Sequence, residues 1–226
     1  AGELYRMNLN PRSLRKSGGW VAFLAGEGDL TSGQQEVFAR CEAWFRELET
    51  THMTKSFKMV TLQVLLERGG LSGGIALQDL AAWSERALRR QPELLADLEG
   101  VKELATGGER PDRWAAYWNK NPVRAWCAGR WFRLEDERLV SRFPEFAESQ
   151  WAALRELTAE LVDLRLAQYR RRRRQDALGA AFEVKVISNK RDPILKLPSR
   201  TKRAGVPEGE TDVRLPDGQA WRFRFQ

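Results

Sequence analysis

Histidine is almost missing from this chain of 226 residues: His52 stands alone, and cysteine is limited to Cys41 and Cys127. The two cysteines lie far apart with no CxxC spacing, which leaves no metal-ligand cluster and no disulfide framework and fits a reducing cytosol. A lone histidine before a helix does not make a nucleophilic triad; packing or capping is its simpler use. Cys41 and Cys127 fall on apolar helical faces, where inert burial is the normal fate of a thiol. No apolar run approaches the ~20 residues that span a bilayer, and no signal peptide opens the chain. A GxxxxGK[ST] phosphate loop is also missing, so these residues should not hydrolyse ATP. The chain begins at Ala1, and Trp221–Phe225, just before the final Gln226, reads as a strand still in progress. A piece of a longer protein is the expectation.

Charge and apolar pattern are plentiful. Charged residues make up 31% and hydrophobic ones 42%, a globular balance, and the formal charge is +7 with a pI near 9.7. An anionic partner is therefore plausible, although a basic balance alone does not establish one. The densest signal is His52–Leu62. Thr54 is placed to cap a helix, and Phe57, Val60 and Val64, with Leu62, Leu65 and Leu66, repeat at helical spacing. Lys55 and Lys58 fall in its first turn, where the helix dipole disfavours cations. They read either as solvated lysines or as contacts to something anionic.

The pattern divides the chain into four stretches and predicts an α+β, mainly α fold. Residues 1–51 hold a short alternating run, Leu4–Leu9, then a helix pair over 19–26 and 31–49, with Thr31 and Gln34 in capping-box spacing. Residues 52–143 read as helix (54–68), a loop with a short strand, helix (78–90), a helical piece from Pro92, helix (112–127, broken at Pro122) and a hairpin turning at Glu135-Asp136-Glu137. That order is a winged-helix-like core. Residues 144–178 form a long amphipathic helix through Trp151, Leu154, Leu157, Leu161, Leu164 and Ala167, ending in Arg170, Arg171, Arg172, Arg173 and Arg174. Helix-end electrostatics explain one or two of these arginines, and five exceed what a cap needs. Residues 179–226 switch to alternation, giving a small β unit with four candidate strands, whose outward positions would be Lys185, Arg214, Arg222 and Arg224.

Three sets of residues, Met53–Met59, Asn121–Trp126 with Trp131–Leu134, and Phe182–Val186 with Pro193–Leu195 and Gly205–Gly209, resemble the region following the motor of bacterial superfamily II DEAD/DEAH-type helicases. Those proteins often also carry a phospholipase-D-like nuclease domain and are associated with restriction, phage defence or DNA repair. The resemblance covers roughly residues 19–226. It implies an accessory region of an ATP-dependent DNA helicase in the cytoplasm, with ATP and Mg needed only by a motor N-terminal to it. The chain has no Asp-Glu-x-His/Asp box of its own, and the acidic triplet is a hairpin turn.

Two functions of different classes follow. In the first, the chain binds DNA without catalysis, chiefly through phosphates. Lys120, Asn121 and Arg124 act on or after the third helix with Lys55 and Lys58 nearby, and the arginine run with Lys185, Arg222 and Arg224 extends the contact. In the second, nine tryptophans and many arginines make a docking surface for the helicase motor or a partner subunit. Trp114, Trp118 and Trp126 are open to base stacking or to core packing. A third expectation is a metal-dependent nuclease built on Glu183-x-Lys185, half of a PD-(D/E)xK motif. No preceding strand supplies its other acid. No membrane partner is expected.

Overall fold

Gly19 turns the chain into its first helix with a positive φ of 123°, and the Glu49 carboxylate fills the space that a side chain at Gly19 would need. That carboxylate caps helix α1 (Trp20–Glu27): Glu49 Oε1 accepts from the Trp20 and Val21 N–H groups at 2.8 and 3.5 Å. Helix α2 (Ser32–Thr50) starts at the expected capping box, with Gln34 N–H donating to Thr31 Oγ1 and Thr31 N–H donating to Gln34 Oε1. Its three- and four-residue spacing buries Val37, Cys41, Trp44, Phe45 and Leu48. The computed structural model describes residues 17–101, 104, 111–181, 185–189, 192–196, 209–214 and 220–225, besides Gly2, with side chains up to residue 176. The expected strand at residues 4–9 lies outside them.

Helix α3 (Phe57–Glu67) begins three residues later than expected, and Thr54 does not cap it. A stronger acceptor displaces it: Asp97 Oδ2, from a distant turn, takes the Ser56 N–H at 2.7 Å and the Ser56 hydroxyl at 2.6 Å. A buried carboxylate at a helix N-terminus meets both the orphan donors and the positive end of the dipole. The expected loop after α3 contains a one-turn helix, α4 (Gly70–Gly73), and strand β1 (Ile75–Ala76). Helix α5 (Leu77–Arg89), helix α6 (Pro92–Leu95) and a 3-10 turn (Ala96–Leu98) follow. Helix α7 (Pro111–Trp118) runs into a wider turn over Asn119–Val123, where Asn121 is extended and the Asn121–Pro122 bond is cis. Helix α8 (Arg124–Cys127) restarts beyond it, so Pro122 does mark the break.

Strands β2 (Phe132–Glu135) and β3 (Arg138–Ser141) form the expected hairpin, and β1 adds to β3, giving an antiparallel sheet of order β1-β3-β2. Asp136 and Glu137 both have positive φ, the conformation that a two-residue hairpin turn demands. The Leu77 N–H binds the Glu137 carbonyl at 2.8 Å and anchors the turn to the start of α5. Gly74 makes the close approach possible, since a Cβ there would lie 2.8 Å from Val140 Cγ1.

Residues 1–170 form one compact unit, so the first three stretches share a core instead of dividing into domains at 51 and 143. Its aromatic centre is Trp44 of α2, whose ring lies 5.3–5.9 Å from those of Trp126, Trp131, Phe132 and Phe143. Each such pair adds about 0.5–1.5 kcal/mol beyond area burial, and together they fasten α8 and the hairpin to α2. Helix α9 (Glu148–Ala181) buries the expected stripe of Leu154, Leu157, Leu161, Leu164 and Ala167, and Thr158 accepts from Trp44 Nε1 at 3.1 Å.

The second unit, residues 171–226, contains the end of α9 and a four-stranded sheet. Strands β4 (Lys185–Asn189), β5 (Asp192–Lys196), β6 (Gly209–Arg214) and β7 (Ala220–Phe225) lie in the order β4-β5-β7-β6. Two antiparallel hairpins meet through a parallel β5–β7 contact at Leu195 and Phe223. The fold class is α+β and mainly α, as the sequence pattern implied.

Candidate nucleic-acid interface

The lysines at the start of α3 serve the fold. Lys55 Nζ donates to the carbonyls of Asp97 and Glu99, satisfying the end of the 3-10 turn, and lies 5.5 Å from the Phe57 ring centre. Lys58 Nζ donates to Thr51 Oγ1 at 3.1 Å and sits 5.3 Å from the Trp126 ring centre. The unfavourable dipole is offset by carbonyl and ring partners, and the anionic component nearby is Asp97 of the same chain. Asp97 also accepts from the Tyr169 hydroxyl of α9, so one buried carboxylate ties α3, the 3-10 turn and α9 together.

Helix α7 and the turn after it have the opposite character. Trp114, Ala115, Trp118, Pro122, Val123 and Trp126 are buried, while Arg113, Ala116, Lys120, Asn121 and Arg124 are exposed. Arg113, Lys120 and Arg124 are seven and four residues apart, and none has a hydrogen bond or ion pair among the described residues. Asp112 is the one acid exposed between residues 111 and 124. The buried side explains why the exposed side is held in place. Trp118 Nε1 donates to Thr61 Oγ1 at 3.2 Å and Trp126 Nε1 donates to the Lys58 carbonyl at 3.2 Å, pinning both ends of the segment to α3. Such a surface offers three cations and an amide on a rigid base.

The structure divides the arginine run. Arg170 is half-buried and donates to Gln91 Oε1, which fastens α9 beside the end of α5. Arg171, Arg172, Arg173 and Arg174 are exposed, and consecutive helical residues lie ~100° apart, so they girdle the helix instead of forming one stripe. In the second unit, register puts Arg224 opposite Glu210 and Arg222 opposite Asp212, while Lys185 stands opposite Lys196. Register thus sets an acid of β6 across from each of these two arginines. Glu183 of the nuclease half-motif lies outside the described residues, while Lys185 opens β4 and Asp192 opens β5.

Trp114, Trp118 and Trp126 are at most 1% exposed, so base stacking on them is ruled out by burial. The hairpin tip carries Glu135, Asp136 and Glu137, all exposed; among the described residues only Glu135 is in an ion pair, with Arg133 at 2.8 Å. A phosphate backbone would be repelled there. The sequence reading missed Arg113, Arg68 and Arg86. Arg113 was legible as the residue seven before Lys120, and Arg86 as the residue three after Trp83. Arg68 was not, because its partner on α5 is distant in sequence. Burial pushes the Cys41 thiol up to about 11 and raises that of Cys127 as well, which leaves both as inert packing groups.

No family model, curated protein or solved structure matches this chain. Among the described residues, no helix is long and apolar enough to cross a membrane, and no group of three or more His, Cys, Asp or Glu side chains could hold a metal ion.

Proposed function

We propose that this protein is a non-catalytic nucleic-acid-binding module that grips the phosphate backbone through the exposed face of α7 and the turn after it. The observation that carries the reading is the set of exposed side chains Arg113, Lys120, Asn121 and Arg124 on a segment whose buried tryptophans fix it to α3. The element order supports it: helix α3, strand β1, helices α5 and α7, then a hairpin whose second strand pairs with β1, the arrangement of a winged helix-turn-helix. In that arrangement α7 is the helix that approaches the groove. One departure shapes the proposal. Residues 90–110, with α6 and the 3-10 turn, replace the short turn between α5 and α7. The acidic hairpin tip would repel a phosphate backbone, so in this reading the contact is left to the cations of α7 and the turn after it, which are phosphate-directed and weakly selective. In the setting implied by the helicase resemblance, the module would hold DNA for an ATP-driven motor.

The test is fluorescence anisotropy with labelled single-stranded and duplex DNA over a salt series. The triple variant R113Q/K120Q/R124Q should weaken binding about tenfold or more at low salt. It should also flatten the slope of log K against log salt by up to ~0.9 per lost duplex contact. Absence of binding by the native chain at low salt would overturn the reading. A second reading, docking on a motor or partner subunit, is favoured by the hairpin, where the acidic tip adjoins Leu134, 39% exposed. A complex formed through that tip would resist DNA competition and be lost on substituting Leu134.

A further inference from the structure

We infer that Arg68 and Arg86, gathered on the ring of Trp83, form a second site for a backbone phosphate, on the helix that packs along α7. The inference rests on the nucleic-acid reading and assigns it a contact away from the α7 face. Trp83 is a half-buried residue of α5 that packs against the core, so it is a fixed anchor. Arg68, at the C-terminal end of α3, brings its guanidinium carbon to 3.1 Å from the Trp83 ring centre, and Arg86, one turn along α5, brings its own to 4.6 Å. Each arginine occupies a helix end where the dipole favours a cation, which explains either one alone. It does not explain why both guanidinia lie against one indole.

The acids that could neutralise them are engaged elsewhere. Glu85 pairs with Arg89 at 2.9 Å, and Glu67 accepts from Gln63 Nε2 at 2.9 Å. Among the described residues the side chain of neither Arg68 nor Arg86 has a hydrogen bond or ion pair, and both residues are exposed. Stacking on an aromatic ring uses the faces of a guanidinium and leaves its edge donors free in the fork geometry that fits phosphate oxygens. With two guanidinia against it, the indole is no platform for a base, so the ligand is the backbone and not the sequence. The position agrees with the winged-helix reading, in which the helix before the groove-facing one crosses the backbone.

Two measurements test the site. In the anisotropy salt series, R68Q/R86Q should lower affinity several-fold at low salt and flatten the slope by about 1–2 contacts' worth. W83L should flatten it similarly with every charge retained, since it releases the two arginines; the packing it also removes is read separately in denaturant melts. By NMR, inorganic tripolyphosphate should shift the Trp83 indole N–H in the native chain and not in R68Q/R86Q, with the chain folded in both. An unchanged slope in R68Q/R86Q, while R113Q/K120Q/R124Q still flattens it, would overturn this site and spare the nucleic-acid reading. If the native chain bound no DNA, that reading and the backbone assignment would fall together. The tripolyphosphate shift would then report bare anion affinity alone. Capture of an acidic protein by the same arginines, with no DNA competition, would overturn the backbone assignment as well.

Discussion

The lysines that open α3 and the exposed arginines at 68, 86, 113 and 124 carry the same charge and have opposite employment. Lys55 and Lys58 spend their donors on carbonyls and a hydroxyl of their own chain, with aromatic rings beneath them. Arg113, Arg124, Arg68 and Arg86 are held by tryptophan-anchored segments, yet their side chains have no hydrogen-bonding partner among the described residues. A cation that is satisfied internally contributes to stability, and one that is fixed but unsatisfied is available to a ligand. The count of basic residues does not separate the two; their hydrogen bonds do.

The comparison breaks most visibly at Asp97, which supports the lysine side of it. Asp97→Ala would strand the Ser56 N–H and hydroxyl and leave the Tyr169 hydroxyl to the Thr54 carbonyl at 3.4 Å, at a position only 2% exposed. Buried unsatisfied groups cost about 1–3 kcal/mol each, so a loss of about 3–4 kcal/mol is expected in denaturant melts. DNA binding by the fraction that stays folded should keep its native salt slope. A change of slope with little loss of stability would mean that Asp97 acts on the ligand.

Next in size is the direct contrast between the two classes of cation. K55M/K58M should lower stability by about 1–2 kcal/mol, through lost hydrogen bonds and ring contacts, and leave the salt slope nearly intact. R113Q/R124Q should do the reverse, within ±0.5 kcal/mol of native stability as surface changes usually are. If both pairs moved both quantities alike, net charge would be the whole explanation.

How far this division could be read in advance depends on distance along the chain. The capping box at Thr31, the stripe of α9, the hairpin and the break at Pro122 were all legible, because each is a pattern among neighbours. The start of α3 was misplaced because its cap, Asp97, lies 41 residues away. The same cause hid the roles of Lys55 and Lys58, whose partners are in other elements, and the convergence of Arg68 on Trp83. Trp114, Trp118 and Trp126 showed helical spacing, but only packing decided that all three are core. Local patterns write the elements, and long-range contacts decide which charges remain available.

A smaller effect sharpens the view of the hairpin as a part that does not bind. Asp136 and Glu137 adopt left-handed φ values of 45° and 57° without being glycine or asparagine. Replacing Glu137 with Gly removes steric cost at a turn that demands positive φ, and should raise stability by ~0.5–1 kcal/mol. It also removes an acid from the tip. DNA affinity should rise slightly or stay level; a fall would place the tip on the ligand.

The smallest expected effect concerns Glu49, the acidic counterpart of the satisfied lysines. Burial raises its carboxyl above the ordinary 4.5, against the lowering pull of the Trp20 and Val21 N–H groups and of Arg165. The folded chain therefore favours the protonated form more than the unfolded chain does. The stability that follows is fully present below about pH 4.5 and is lost as pH rises through the higher folded value. Glu49→Gln keeps an oxygen acceptor for the cap of α1 and cannot ionise. Relative to the native chain, it should gain stability between about pH 4.5 and 7, by an amount on the order of 0.5 kcal/mol. Paired denaturant melts at the two pH values would check the sign. A variant that lost ground as pH rose would show that the charged carboxylate holds α1 more strongly than its burial opposes it. Glu49 would then be a helix-end anion worth more ionised than neutral, and burial a poor guide to which charges this fold tolerates.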